Sequence, residues 1–334
     1  MRSPMARGSY GHADYPDAVP APAPLRTRVS ELLGTDYPIV QAPMGYIARA
    51  QLASAVSAAG GLGIIETSSG RLDEVTVEME RMRELTDRPW GVNIAQLFVR
   101  DPGIVEFVAG QGVTFVTTSA GDPTRYTEAL HDAGITVFHV VPSLRAARKA
   151  VDAGVDGLVV EGGEGGGFKS TRPVSTMVLL PQVCAAVDVP VIAAGGITDG
   201  VSMAAAFALG AEGVQMGTRM VASAESPVHD AYKRLITDAD ATDTVLLSAH
   251  HSPAYRVMRT PFSEALEQEP SVVMGSTFGI DALLELYFEG NLEGAFAFGG
   301  QVAGRVDGVV PVADIIHGTV AGFYECVTAL GKYL

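Results

Sequence analysis

Cysteine is nearly absent from this chain of 334 residues. Its two cysteines, Cys184 and Cys326, lie far apart in sequence and show no metal-ligand spacing. That excludes a disulfide framework and a cysteine-rich metal site, and it fits a reducing, cytoplasmic setting. Basic residues are also few: 23 Lys and Arg stand against 38 Asp and Glu, for a formal charge of -15 and a pI near 4.8. Such a field repels nucleic acid and anionic membrane surfaces, which leaves a small-molecule substrate as the expected partner. No apolar run reaches the roughly 18 residues that a membrane-spanning helix needs. Residues 1–25, rich in Pro, Ala and Gly, contain no apolar run of the roughly 7–15 residues found in a signal peptide, and they are expected to be a mobile arm.

What remains is apolar: 47% of the chain is hydrophobic, enough for a large core in either one α/β barrel or two domains. Short β-branched runs recur from residue 37. They are "YPIVQAP" at 37, "GLGIIE" at 61, "WGVNIA" at 90, "VTFVTT" at 113, "ITVFHVV" at 135, "DGLVVE" at 156, "VPVIAAG" at 189 and "AEGVQMG" at 211. They are continuous rather than alternating, as strands buried on both faces of a parallel sheet are. Alanine-rich amphipathic segments such as "SLRAARKAVDAG" separate them, each closing on a glycine suited to end a helix. Eight strand-then-helix units predict a (β/α)8 TIM barrel over residues 26–228 rather than an open doubly wound sheet. Residues 229–295 read as a helical accessory lid, and 296–334 as a segment that returns to the barrel wall. A homodimer is the candidate assembly.

The strand starts are 21 to 29 residues apart, except for 33 residues between the sixth and seventh. That gap holds "VVEGGEGGGFKS", Val159 to Ser170, with five glycines between Gly162 and Phe168. A backbone so bare is costly to order and suggests a close approach at the C-terminal mouth of the barrel, where barrel enzymes place their chemistry. The seventh and eighth strands end in "AAGGIT" and "QMGTR", placing Ala194, Gly195 and Gly196 beside Gln215, Met216, Gly217 and Thr218. Exposed N–H groups followed by a helix N-terminus can hold a phosphate there, although the glycines could also serve tight turns alone. In "QAPMG", Ala42, Pro43 and Met44 could face a flat ring, or Met44 could simply fill core. Asn93 in the third strand needs amide partners, supplied by a ligand edge or by neighbouring backbone. His139 on the fifth strand and Glu161 on the sixth pose the same question.

Taken together, "YPIVQAPMG", "GGLGII", "GVNI", "VVEGGEGGG", "LLPQV", "VPVIAAGGITDG", "GAEGVQMGTR" and "GQVAG" resemble the nitronate monooxygenase family, once called 2-nitropropane dioxygenases. Flavin-dependent enoyl-acyl-carrier-protein reductases share the same fold and signatures. The resemblance implies a barrel holding FMN, with its phosphate at Gly195, Gly196, Gly217 and Thr218. Ala42, Pro43, Met44, Asn93 and Glu161 would then surround the ring and ribityl chain, and Gly166 and Gly167 would approach the flavin. Where the family carries a substrate-facing histidine, this chain has Phe168. A phenyl ring cannot take the α-proton of a neutral nitroalkane, whereas an alkyl nitronate is already an anion. Lys169 could polarise a substrate carbonyl or could be a solvated loop lysine, and His139, His229, His250 and His251 are the candidate replacement acids. The resemblance therefore implies oxidation of alkyl nitronates with O₂, or, as the alternative, NAD(P)H-driven reduction of an enoyl thioester, enone or quinone.

Overall fold

In the computed structural model, which describes residues 18–269 and 279–333, the chain runs through these strands and helices in order. The strands are β1 Ile39–Gln41, β2 Gly63–Glu66, β3 Trp90–Ala95, β4 Phe115–Ser119, β5 Thr136–Val141, β6 Gly157–Glu161, β7 Gly167–Lys169, β8 Val191–Ala194, β9 Gly213–Met216, β10 Thr244–Leu247 and β11 Ala254–Met258. The helices are α1 Arg28–Leu33, α2 Ala50–Ala58, α3 Leu72–Leu85, α4 Ile104–Gly110, α5 Thr127–Asp132, α6 Leu144–Asp152, α7 Thr176–Cys184, α8 Gly200–Ala208, α9 Thr218–Val221, α10 Asp230–Thr237, α11 Pro261–Glu267, α12 Ile280–Glu289 and α13 Val312–Leu330.

Eight parallel strands form one sheet in the order β1, β9, β8, β6, β5, β4, β3, β2, which is the expected TIM barrel. The closing seam joins β1 to β2. Leu62 donates to the Ile39 carbonyl at 2.9 Å, and Gln41 donates to the Leu62 carbonyl at 3.0 Å. β1 is short, and the side-chain amide of Gln41 continues the ladder by bonding both the N–H (3.3 Å) and the carbonyl (3.2 Å) of Ile64. Inside the barrel Val40, Ile64, Phe115, Phe138, Val159, Ile192 and Ala194 pack together, with Val29 and Leu33 of α1 plugging the N-terminal end. Intervening strand residues such as Val92, Val137, Val141 and Val214 pack outward under the helices. This two-sided burial is why the strands read as unbroken apolar runs.

The accessory segment departs from the helical expectation. It carries α10, α11 and α12, and also β10 and β11, which pair antiparallel with each other and with β7 to make a three-stranded sheet over the mouth. The "AYRVM" run of β11 carries Tyr255 and Val257, an aromatic and a β-branched residue of the kinds that favour a half-buried pleated surface. Of the expected mobile arm, residues 1–17 lie outside the described residues. Its end is bound to the body: Val19 donates to Asp314 Oδ1 at 3.0 Å, and Tyr37 donates its hydroxyl to the Pro22 carbonyl at 2.7 Å. α13 lies against α8, where a Cβ on Gly200 would stand 2.2 Å from the Phe323 nitrogen. Among the described residues no helix is long and apolar enough to cross a membrane.

Candidate functional site at the C-terminal mouth

The loops after β1, β6, β8 and β9 converge. Gly195 and Gly196 both sit at φ +83°, left-handed backbone that side chains disfavour. A Cβ on Gly195 would meet the Gly162 carbonyl at 3.0 Å and the Gly165 nitrogen at 3.1 Å, so the loops after β6 and β8 touch backbone to backbone. Gly217 lies beside the loop after β1, since a Cβ there would be 3.4 Å from Ala42 Cβ and 3.8 Å from Met44 Sδ. Thr218 Oγ1 accepts from Gly300 N–H at 2.9 Å, fixing the start of α9 to the segment from Phe298 to Gln301.

The glycine run is explained first by the protein itself. A Cβ on Gly162 would fall 1.9 Å from Thr176 Oγ1, and one on Gly166 only 2.8 Å from the Gly299 backbone. The Glu164 carboxylate accepts from Thr176 N–H at 2.9 Å, capping α7. Gly167, at φ +82°, has nothing within 4 Å of its missing side chain and borders open space.

Lys169 is not a solvated lysine. Its ammonium is buried and donates to Glu161 Oε1 at 2.6 Å and to the carbonyls of Gly166 (3.0 Å) and Phe168 (3.1 Å). All three of its hydrogens are thereby engaged. Glu161, at the end of β6, keeps part of its carboxylate open at the mouth. Phe168, 40% exposed, points away from that ion pair, because alternate residues of β7 face opposite ways. Its ring meets Phe98 at 5.5 Å, Tyr255 at 5.2 Å and Phe298 at 6.3 Å, forming an aromatic wall. Phe98 follows β3, across the barrel from β6, so the Phe98–Phe168 contact spans the mouth.

Asn93 finds its amide partners within the protein: Nδ2 donates to Thr117 Oγ1 at 2.9 Å and to the Thr117 carbonyl at 3.1 Å. Its Oδ1 has only a long 3.5 Å contact from Ser119, leaving acceptor capacity. Met216 is buried in the outer layer under the helices, and only its carbonyl, accepting from Ala42 N–H at 2.9 Å, serves the mouth. Pro43 and Met44 are half-buried beside it. Glu66, not among the residues expected from sequence, is buried and organises the loop after β1. It pairs with Arg49 at 2.8 Å and accepts from the N–H groups of Tyr46 and Ser69, both at 3.1 Å.

His139 does not belong to the site. On β5 it shares the outward face of Val137 and Val141, and its Nδ1 bonds Thr118 Oγ1 at 2.7 Å. Burial depresses its pKa to about 4. The unfolded chain, with an ordinary histidine pKa near 6.5, binds the proton more readily. Stability linked to His139 is therefore full above pH about 6.5 and falls as pH drops through about 4, by up to about 3 kcal/mol. Urea titrations at several pH values are expected to show this acid slope in the parent chain and lose it in His139→Asn. His229 instead caps α10, accepting from Ala231 N–H at 3.1 Å, and His250 and His251 are exposed near the β10–β11 turn.

The residues present fit a flavin phosphate and ring. No acceptor in the described chain takes the N–H groups of Gly196 and Ile197. Thr198 Oγ1, next to them, and Gln215 Oε1, inside the mouth, are buried without partners. Orphaned buried polar atoms are uncommon, and a ligand would satisfy these.

A profile of the nitronate monooxygenase family matches residues 26–102 and 95–322. A (3aS,4S,5R,7aS)-5-hydroxy-7a-methyl-1-oxo-octahydro-1H-indene-4-carboxyl-CoA dehydrogenase of Mycobacterium tuberculosis is 40% identical over 246 residues, 73% of this chain and 69% of the relative. A probable nitronate monooxygenase of Staphylococcus saprophyticus is 33% identical over 267 residues, covering 66% of this chain and 75% of the relative. The structure of FabK from Thermotoga maritima superimposes with a TM-score of 0.87 at 41% identity, covering 93% of this chain and all of that one. With its barrel, its glycine-lined mouth and this coverage, the chain belongs to the nitronate monooxygenase family of flavin-dependent oxidoreductases.

Proposed function

We propose that the chain is an FMN-dependent, NAD(P)H-driven reductase of an α,β-unsaturated acyl thioester. The observation that carries this reading is the aromatic wall at position 168. The residue facing the mouth has no basic atom, Lys169 behind it is fully engaged, and His139 points out of the barrel. A neutral nitroalkane thus finds no base at these positions, and losing a general base typically costs 10²–10⁴-fold. Reduction of an activated C=C bond depends more on positioning. The Mycobacterium tuberculosis relative, named for a carboxyl-CoA substrate, supports a thioester.

Bound FMN would supply hydride transfer between nicotinamide and substrate. Its phosphate would be held by the N–H groups at Gly195, Gly196 and Gly217 and by Thr218, and its polar ring edge by Gln215 and the backbone near Ala42. Asn93 Oδ1 and Glu161 offer acceptors to its N–H and hydroxyl groups. The rings of Phe98, Phe168, Tyr255 and Phe298 exclude water from one side and give an apolar acyl chain a surface.

The second reading is oxidation of alkyl nitronates with O₂, which the Staphylococcus relative favours and which needs no proton removed. Anaerobic mixing with NADH and with NADPH separates the two. Rapid bleaching of the flavin, reversed by a crotonyl thioester, is the expected result. Absence of bleaching together with oxygen uptake on propyl-2-nitronate would overturn it.

A further inference from the structure

Reduction of an enoyl thioester consumes a proton as well as a hydride, and the groups discussed so far do not provide one. Lys169 has all its hydrogens engaged, and Glu66 accepts from several donors at once. His139 faces outward and His229 caps a helix. The aromatic wall contains one group that can donate. Tyr255 on β11 is the register partner of Phe168 on β7, and directly opposed residues of an antiparallel pair project to the same face. Their rings lie 5.2 Å apart. Among the described residues the Tyr255 hydroxyl has no hydrogen-bond partner, yet it is not among the buried orphaned atoms, so it opens onto accessible space. Neighbouring Ala254 and Arg256 face the other way, Arg256 Nε donating to the Gly163 carbonyl at 2.7 Å.

We propose that Tyr255 is the catalytic proton donor of this site, supplying from β11 the proton that the hydrocarbon ring at position 168 cannot. The proposal rests on the reductase reading. A reduced nicotinamide is the source of the hydride and leaves oxidised by two electrons. The hydride bonds to the β-carbon of the enoyl thioester, the C=C π bond breaks, and its electron pair becomes the enolate. The Tyr255 O–H bond then breaks as its proton forms the new C–H bond at the α-carbon, and the phenolate recovers a proton from solvent. Partial burial raises the Tyr255 pKa, so the phenol holds its proton at neutral pH until the far more basic enolate takes it.

Tyr255→Phe keeps the ring and breaks no internal hydrogen bond, so Tm is expected to stay unchanged. Flavin bleaching by nicotinamide and the Kd of crotonyl-CoA, read from perturbation of the oxidised flavin spectrum, should stay within a few-fold of the parent. Re-oxidation of the reduced enzyme by crotonyl-CoA should slow by about 10²-fold or more. Adding Phe168→His to Tyr255→Phe returns a titratable donor to the same face and should restore part of that rate. In the flavin-free protein, the alkaline difference spectrum of Tyr255→Phe should lack one phenol that titrates above the ordinary tyrosine range. Tyr46→Phe, half-buried on the loop after β1 and outside the wall, is the control and should re-oxidise normally. Normal re-oxidation in Tyr255→Phe, or a loss found only in Tyr46→Phe, would overturn the proposal and leave the reductase reading intact. A flavin that neither nicotinamide bleaches would remove both.

Discussion

Replacing Gly195 by alanine is expected to strip the flavin from the protein. Two penalties coincide at this residue. Its φ of +83° places an alanine in left-handed backbone, at about 1–2 kcal/mol. The added Cβ would also stand 3.0 Å from the Gly162 carbonyl oxygen and 3.1 Å from the Gly165 nitrogen. Those neighbours are backbone, held in turn because Gly162 N–H donates to Ala194 at 2.9 Å and Gly165 N–H to Gly162 at 3.3 Å, so neither can swing aside as a side chain would. The loop after β8 must then shift, and a total of about 2–4 kcal/mol corresponds to roughly 30-fold to 1,000-fold weaker FMN binding. Gly167→Ala provides the comparison, having nearly the same φ, +82°, but nothing within 4 Å. It should lose about 1 kcal/mol, or less than tenfold in affinity. Fluorescence titration of FMN into the stripped proteins measures both. Equal affinities would mean that contact between the loops after β6 and β8 does not shape the phosphate site.

The barrel was legible in the sequence because each of its strands is buried on both faces, which leaves a run such as "DGLVVE" without polar interruption. The glycine turn after β8 was legible because left-handed backbone at a strand end demands glycine, and Gly195 and Gly196 announce it. Strands β10 and β11 were not. Each is four or five residues long, lies in a segment of polar connectors, and gains its partner only by meeting β7 from a distant part of the chain. Tyr255 was invisible for the same reason, since its link to Phe168 is a matter of register and not of spacing. His139 shows the opposite failure. In "VFHVV" alternation tells which residues share a face but not which face is the barrel interior, and only the packing of Phe138 against Phe115, with ring centroids 5.3 Å apart, settles that His139 looks outward. The glycine run was read as an approach to a ligand, but much of its density serves contact with Thr176 and Gly299.

Lys169→Met should destabilise the fold by leaving a partly buried carboxylate without its partner. The methionine fills similar volume, so the loss is electrostatic: the partner of Glu161 disappears, and the carbonyls of Gly166 and Phe168 lose their donor. Removing one member of a fully buried pair typically costs about 3–5 kcal/mol because the other charge is stranded. Glu161 retains 28% side-chain exposure, so water screens part of that penalty and about 2–4 kcal/mol is expected here. If stranding the carboxylate is the cause, neutralising it should relieve the loss. Glu161→Gln combined with Lys169→Met is therefore expected to be more stable than Lys169→Met alone, a non-additivity that urea denaturation of the two singles and the double resolves. Strict additivity would show that the two side chains do not interact in solution. Because the same ammonium ties down the carbonyl of Gly166, the single variant should also hold FMN more weakly, whereas the double variant should recover stability without recovering that grip. The pair thus links the rigidity of the glycine run to the shape of the mouth: a buried cation at the end of β7 holds in place the loop that leads into the Phe168–Tyr255 wall and borders the proposed cofactor site.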